Sequence, residues 1–339
     1  MHGSAVYAQT NEEGRNRVLE FRRSEDGSLQ SVGSYETGGA GDGVPHLTSQ
    51  GSVTLTGDGS ALLVTNAGSD EVSVFAIGGD ETRLIATLPS GGKAPKSVAE
   101  HDGLVYVLNT ATPGLAGFRL GAMSLEPLPG SARDLPMGSD PAQVGFTPDG
   151  AGLVVTDRGT DSIAIYPVGA DGLLGEPNVT PSAGPTPYGF AFAGEGTLLV
   201  TEAFGAQTGK AAASSYRVSD LSAAPVSRSI GNGRSEICWA VVSKDGRYVF
   251  TTNFADGAVS RYAIGSDGSI ELDDAAAGSV GDGHKGLRDE ALSVDGRFLY
   301  AIDTDAERIV GWAVGEDGRL DPVGSWSGVP PTVAGLAAG

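Results

Sequence analysis

Cysteine occurs once in 339 residues, at Cys238. A lone cysteine excludes an intramolecular disulfide and any multi-cysteine zinc site, so a packed thiol is expected. Bases are scarce as well. Lys and Arg total 22 against 42 Asp and Glu, giving a formal net charge of −20. Nucleic acid and anionic membrane both demand a basic footprint, so neither is an expected partner. The acidic surplus suits the solubility of a glycine-rich β-protein. No stretch approaches the roughly 18 apolar residues of a membrane-spanning helix. No charged-then-apolar leader precedes the first strand-like segment near Gly3. The expected location is therefore cytoplasmic, or that of a mature secreted chain. Familiar catalytic signatures are missing too. The chain has no GxSxG and no HExxH, and its glycine clusters do not open helices as nucleotide-binding loops do.

What is present is a repeat. DGRYVFTTNFADGAVSRYAIGSDGSI at 245–270 returns as DGRFLYAIDTDAERIVGWAVGEDGRL at 295–320. Turn glycines at 59, 103, 150, 196, 246 and 296 are spaced by 44, 47, 46, 50 and 50 residues. A seventh copy starts near Gly3 without its Asp. Length alone suggests two domains, but internal periodicity of about 40–50 residues signals a propeller. Each copy carries four short runs rich in Val, Ile, Tyr and Phe around Asp-Gly turns, which read as antiparallel hairpins. The predicted fold is all-β: one domain over 1–339, a seven-bladed β-propeller of four-stranded antiparallel blades. The chain starts on a second strand, and residues 331–336 (PTVAGL) resemble a first strand. The C-terminus is therefore expected to supply the innermost strand of the N-terminal blade and so remove two exposed edges. A ring of this kind is expected to be monomeric.

Strand direction sorts the loops. All Asp-Gly turns share one face, which sets aside His101 and Lys244; His2 is terminal. The opposite face collects the starts of first strands and the ends of second strands, where propellers usually place their sites. Second strands end at Asn11, Asn66, Asn109, Asp157, Glu202, Asn253 and Asp303. Turn chemistry explains the Asn and Asp members; a ring of oxygens for a hard cation such as Ca²⁺ is the alternative. Otherwise no cofactor is expected. Glu202 stands apart, because Glu is a poor turn former and a long loop follows it. First strands begin with Ser52, Ser97, Gln143, Gly189, Trp239, Asp289 and Thr332, a position whose variety suggests a tailored channel mouth. Gln50, Lys96, Tyr188, Glu236 and Arg288 flank it, and Arg158 adds a further base. Arg288-Asp289-Glu290 is the most charged entry into an innermost strand, either an internal ion pair or an Arg288 that grips a substrate carboxylate bidentately. His46 and His284 lie in long loops on this side, as general bases or as plain loop residues.

The strings SQGSVTLTGDGSALLVTNAGSDEVSVF, PAQVGFTPDGAGLVVTDRGTDSIAIYPV and ICWAVVSKDGRYVFTTN resemble the lactonase-type seven-bladed propellers. That family includes propeller 6-phosphogluconolactonases and carboxymuconate lactonizing enzymes. The chain looks most like the bacterial subgroup called 3-carboxymuconate cyclase-like. The resemblance implies His and Arg at first-strand starts and a Glu ending a second strand. Glu202 and Arg288 match that pattern. Gln143 stands where a His is expected, Pro187-Tyr188-Gly189 lacks both Arg and His, and Cys238-Trp239 replaces a charged pair.

The resemblance thus implies a lactonase or lactone-forming cycloisomerase acting on a small carboxylated or polyhydroxylated substrate. Catalysis is expected from Glu202 as general acid or base, Arg288 as carboxylate or enolate partner, and Tyr188 as a substitute proton donor. Gln143, Asp289, Trp239, Glu236, Lys96, Arg158 and Gln50 are expected to bind substrate; Trp239, Tyr188 and Phe204 read as blade packing or, for a specialised cyclase, as an aromatic wall. A non-catalytic propeller that binds a small ligand or a protein is the alternative, as is a specialised cyclase outside central metabolism.

Overall fold

The computed structural model describes residues 4–44, 50–78, 81–281 and 284–339. His2 and His46 lie outside them. Seven antiparallel sheets follow one another along the chain, each ordered from the channel outward. Blade one is the exception in sequence order: its innermost strand is Ala334–Ala338, paired with Ala5–Gln9. The C-terminal latch is therefore present. Blade three carries one extra piece. Its outer strand is split into Ser124–Pro127 and Arg133–Asp134, on either side of Pro129-Gly130.

Second strands such as Ala61–Asn66 and Phe298–Asp303 are buried at every residue. They read as unbroken apolar runs because neighbouring blades cover both faces. Outer strands such as Leu320–Ser327 are mostly exposed. Seven apolar layers fill the gaps between adjacent blades, and the layer joining blades seven and one contains Phe298, Tyr300, Val333 and Leu336.

The Asp-Gly turns repeat one motif. Thr56, Thr147, Ser243 and Ser293 donate to the carboxylates of Asp58, Asp149, Asp245 and Asp295 at 2.6–2.8 Å. The following Gly59, Gly150, Gly246 and Gly296 have φ between 69° and 76°, a region closed to most side chains. The Ser60 N–H and the Thr147 hydroxyl hold the Asp58 and Asp149 carboxyls below the usual range. Blade five departs: there Gly194, not Gly196, takes the left-handed conformation. On the same face, Arg119 and Arg297 reach the next blade's outer turn at Asp171 O (2.6 Å) and Glu25 O (3.1 Å).

Candidate functional site at the channel mouth

The pairing register of the first strands slips by one residue near their start, as at Pro95/Ser97, Pro141/Gln143, Pro187/Phe190, Ile237/Ala240 and Leu287/Glu290. This bulge defines three levels down the channel. The bulged residues Lys96, Ala142, Tyr188, Cys238, Arg288 and Gly335 stand at the mouth. Ser97, Gln143, Gly189, Trp239, Asp289 and Leu336 form the next level. Val98, Val144, Phe190, Ala240, Glu290 and Ala337 form the third. The register also revises blade one. Leu336, not Thr332, is equivalent to Asp289, and Gln9, not Asn11, is equivalent to Asn66. Thr332 precedes the strand and donates to Thr10 O at 2.6 Å.

The second level stitches neighbouring blades together. Gln143 accepts from Phe190 N (2.6 Å) and donates to Phe190 O (3.2 Å). Ser97 Oγ accepts from Val144 N at 3.2 Å. The Trp239 indole N–H donates to Asp289, whose other oxygen accepts from Gly335 N at 2.8 Å. Gln50 performs a similar task across 190 residues, pairing both its amide groups with Ala240 backbone at 3.1 and 3.2 Å. Gln50, Gln143, Trp239 and Asp289, expected to contact substrate, thus bond other blades of the ring, and all four also line a second cavity in the channel. Their variety reflects the different gap each must bridge.

Glu202 is also relocated. It is 0% exposed, inside blade five. Its carboxylate accepts from Ser214 Oγ (2.5 Å), Ser229 Oγ (2.6 Å) and Gly184 N (2.9 Å). A Cβ at Gly184 would stand 2.3 Å from Glu202 Oε2, so only glycine fits there. Asn66 and Asn253 fill the same slot in their blades, bonding Ser73 and Ser260 at 2.7 and 2.9 Å. Asn109, Asp157 and Asp303 are likewise bonded to Ser90, Gly159 N and Arg308. The strand-end oxygens are thus engaged by neighbouring segments: Asn66 Oδ1 accepts from Thr37 and Asn16, and Asn253 Oδ1 from Asn232. Burial raises the Glu202 carboxyl, against the opposing hydroxyl bonds. Beside it, Ala203 N and Phe204 N bond Thr186 O and Pro185 O, at 2.9 and 3.2 Å. Glu202 thereby fixes the segment that leads into Tyr188.

The mouth holds a cavity of 330 Å³ lined by Arg158, Tyr188, Glu236, Cys238, Phe254 and the loop at Gly205-Ala206, with Thr186, Ala203 and Ile237. Tyr188 is 5% exposed, stacks on Trp239 with centroids 5.2 Å apart, and its hydroxyl has no partner. Arg158 lies 5.1 Å over the Tyr188 ring and pairs with Asp140 at 2.7 Å. Arg288 lies 4.1 Å over Phe254, is 6% exposed, and leaves Nε and Nη1 without partners. Burial lowers its guanidinium, though arginine stays charged. Burial raises the Tyr188 phenol well above 10, and the Cys238 thiol to about 12. At neutral pH both keep their protons: Tyr188 is a donor, and Cys238 is not a nucleophile.

The other expected residues sort as follows. Glu236 lines the cavity, and its carbonyl accepts from Cys238 Sγ at 3.3 Å. Lys96 is held by Asp42 at 3.3 Å and is absent from the described lining. His284 is exposed in its loop. Phe254, not Phe204, supplies the aromatic wall. Both follow the end of a second strand, and only the contact with Arg288 separates them.

Burial also sets a pH dependence. It raises the Asp289 carboxyl from 3.8 to about 6, against its bonds to Gly335 and Trp239. Glu290 is raised well above the usual range for the same reason. An acid whose folded pKa exceeds its unfolded one costs stability as pH rises between the two values. For Asp289 the span from 3.8 to 6 is worth about 3 kcal/mol. The expected result is a melting temperature that falls from pH 4 to pH 6.5. A rising or flat profile across that window would show both carboxyls ionised in the folded ring.

The model of the family described as Lactonase, 7-bladed beta-propeller, matches residues 2–126, 123–203 and 200–331. No curated protein matches the chain. Among solved structures, a candidate 6-phosphogluconolactonase from Bacteroides fragilis superposes with a TM-score of 0.77 at 16% identity, covering 100% of this chain and 98% of that one. A Lactobacillus plantarum protein gives 0.77 at 17% identity over 100% and 99%. The periplasmic gluconolactonase of Pseudomonas aeruginosa gives 0.75 at 16% over 98% of each chain. At such identities the structures share the fold, while the family model matches nearly the whole sequence. With its seven four-stranded blades and that match, the chain belongs to the seven-bladed β-propeller lactonase family.

Proposed function

We propose that the mouth cavity binds a small carboxylated or polyhydroxylated molecule and that its reaction is the opening of a lactone. The observation that carries this reading is Arg288: a buried guanidinium with two unpartnered nitrogens, packed on Phe254 of the cavity wall although not itself among the described lining residues, with the unpartnered Tyr188 hydroxyl on that lining. Donors fixed in a water-poor site stabilise the oxyanion that forms when water adds to an acyl carbon. In this scheme water adds to the lactone carbonyl. Arg288 and Tyr188 meet the developing oxyanion. The ring C–O bond then breaks, its oxygen leaves as a hydroxyl, and the acid releases its proton to solvent. Arg158 adds positive charge on the other side of Tyr188. Glu202 acts as a positioning residue and does not transfer the proton.

A second reading, binding without turnover, is favoured by the engaged state of Glu202 and Asp289 and by the absence of an imidazole from the described cavity lining. Acid release from glucono-lactone and its 6-phosphate, followed at constant pH, separates the two. Acceleration by the protein that drops at least 100-fold in Arg288→Ala supports lactone opening; losing one oxyanion donor typically costs about that much. No acceleration, with retained binding of gluconate, selects the second reading.

A further inference from the structure

Below the mouth, the central channel holds a separate, open cavity of 350 Å³. Its walls are polar and apolar in equal part: Val53, Leu55, Val98 and Leu336 on the apolar side, Gln50 and Gln143 on the polar side. Three carboxyls line it, Glu100, Asp289 and Glu290, and no base is among the described lining residues. Two of the three are occupied: Glu100 accepts from Gly103 N and Gly57 N (2.7 and 3.1 Å), and Asp289 accepts from Trp239 and Gly335.

Glu290 differs. It is 4% exposed, and neither carboxylate oxygen has a partner. Among the described lining residues it is the one buried polar side chain left unsatisfied. Register gives the same conclusion. The equivalent residues of the other six blades are Val53, Val98, Val144, Phe190, Ala240 and Ala337, all apolar. Packing therefore does not ask for a carboxyl at this level, and burying one without a partner is costly.

We propose that the channel is a binding site for a small organic cation, a primary ammonium compound with a short apolar body, whose charge is met by Glu290. On binding, the buried Glu290 carboxyl releases its proton to solvent, and the resulting carboxylate takes the ammonium through short charge-assisted hydrogen bonds. The apolar half of the wall, with Val53, Val98 and Leu336, fits the short organic remainder. A metal ion fits less well, because a hard cation needs six or more oxygens and the walls offer one free carboxylate.

The test is calorimetric titration of the full chain with n-butylammonium and with 1-butanol, its neutral counterpart of similar shape, in wild type and Glu290→Gln. Saturable binding of n-butylammonium at least 10-fold tighter than 1-butanol is expected, with at least a 10-fold loss in Glu290→Gln. Equal binding of the two compounds, no binding of either, or undiminished amine binding by a folded Glu290→Gln would overturn the proposal. If that variant does not fold, the ratio between the two compounds in wild type decides.

Discussion

A chain ending at Ser327 is expected to lose its cooperative unfolding transition. The missing segment supplies Ala334–Ala338, the innermost strand of blade one. Val329, Val333 and Leu336 leave the layer between blades seven and one, and Ala337 leaves the layer between blades one and two. Burial of the three larger side chains alone is worth about 6 kcal/mol, a large share of the 5–15 kcal/mol that typically holds a domain together. Two further losses add to this. The Ala5–Gln9 strand, buried at every residue, becomes an open edge. Asp289 loses the Gly335 N–H that its second oxygen accepts. Calorimetry of the truncated chain should show no sharp transition and prompt aggregation. A transition at the wild-type temperature would mean that the ring does not depend on its latch.

Glu202→Ala should lower stability by about 3–5 kcal/mol, and Glu202→Gln by less than half of that. The alanine leaves the Ser214 and Ser229 hydroxyls and the Gly184 N–H facing an empty buried slot. Each unsatisfied buried donor costs about 1–3 kcal/mol, moderated where a hydroxyl can turn elsewhere. The amide keeps one acceptor oxygen, and the serine hydroxyls can reorient toward it. Denaturant unfolding of both variants checks the order. The alternative is specific: a Glu202→Gln protein as stable as wild type that has lost all lactone turnover would restore Glu202 as an acid–base catalyst.

The ring was legible because its signals are local and repeated. Asp-Gly turns recur at near-constant spacing, and the doubly buried second strands read as apolar runs. The latch was legible from a first-strand pattern at the end of the chain, although its register was not: a bulge and an atypical first blade shift the equivalent positions to Leu336 and Gln9.

The site was harder to read. Variety at one register position suggested substrate contacts, yet Gln143, Trp239 and Asp289 vary because each bridges a different gap to the next blade. Glu202 looked catalytic because Glu rarely ends a strand; its length lets it reach two serines and a glycine N–H at once. Arg288 and Tyr188 were visible as residue types. What the sequence could not show is that their polar atoms stay unpartnered, since that depends on groups brought together from separate blades. Phe254 carried no sequence signal beyond apolarity, and Cys238 only that of a lone cysteine in place of a charged entry. In the sequence Glu290 is only the third residue of Arg288-Asp289-Glu290, and the register of the other six blades is what singles it out.

The central claim is that the mouth of the ring is an anion site built on Arg288. Titration of the wild-type protein and Arg288→Ala with gluconate and with a muconate-like dicarboxylate tests it most directly. Truncating one partner of a buried charge contact costs about 2–5 kcal/mol, so binding of at least one acid by wild type and a loss of 30-fold or more in the variant is the predicted result. Equal affinity of the two proteins for every acid that binds would place the site elsewhere on the ring.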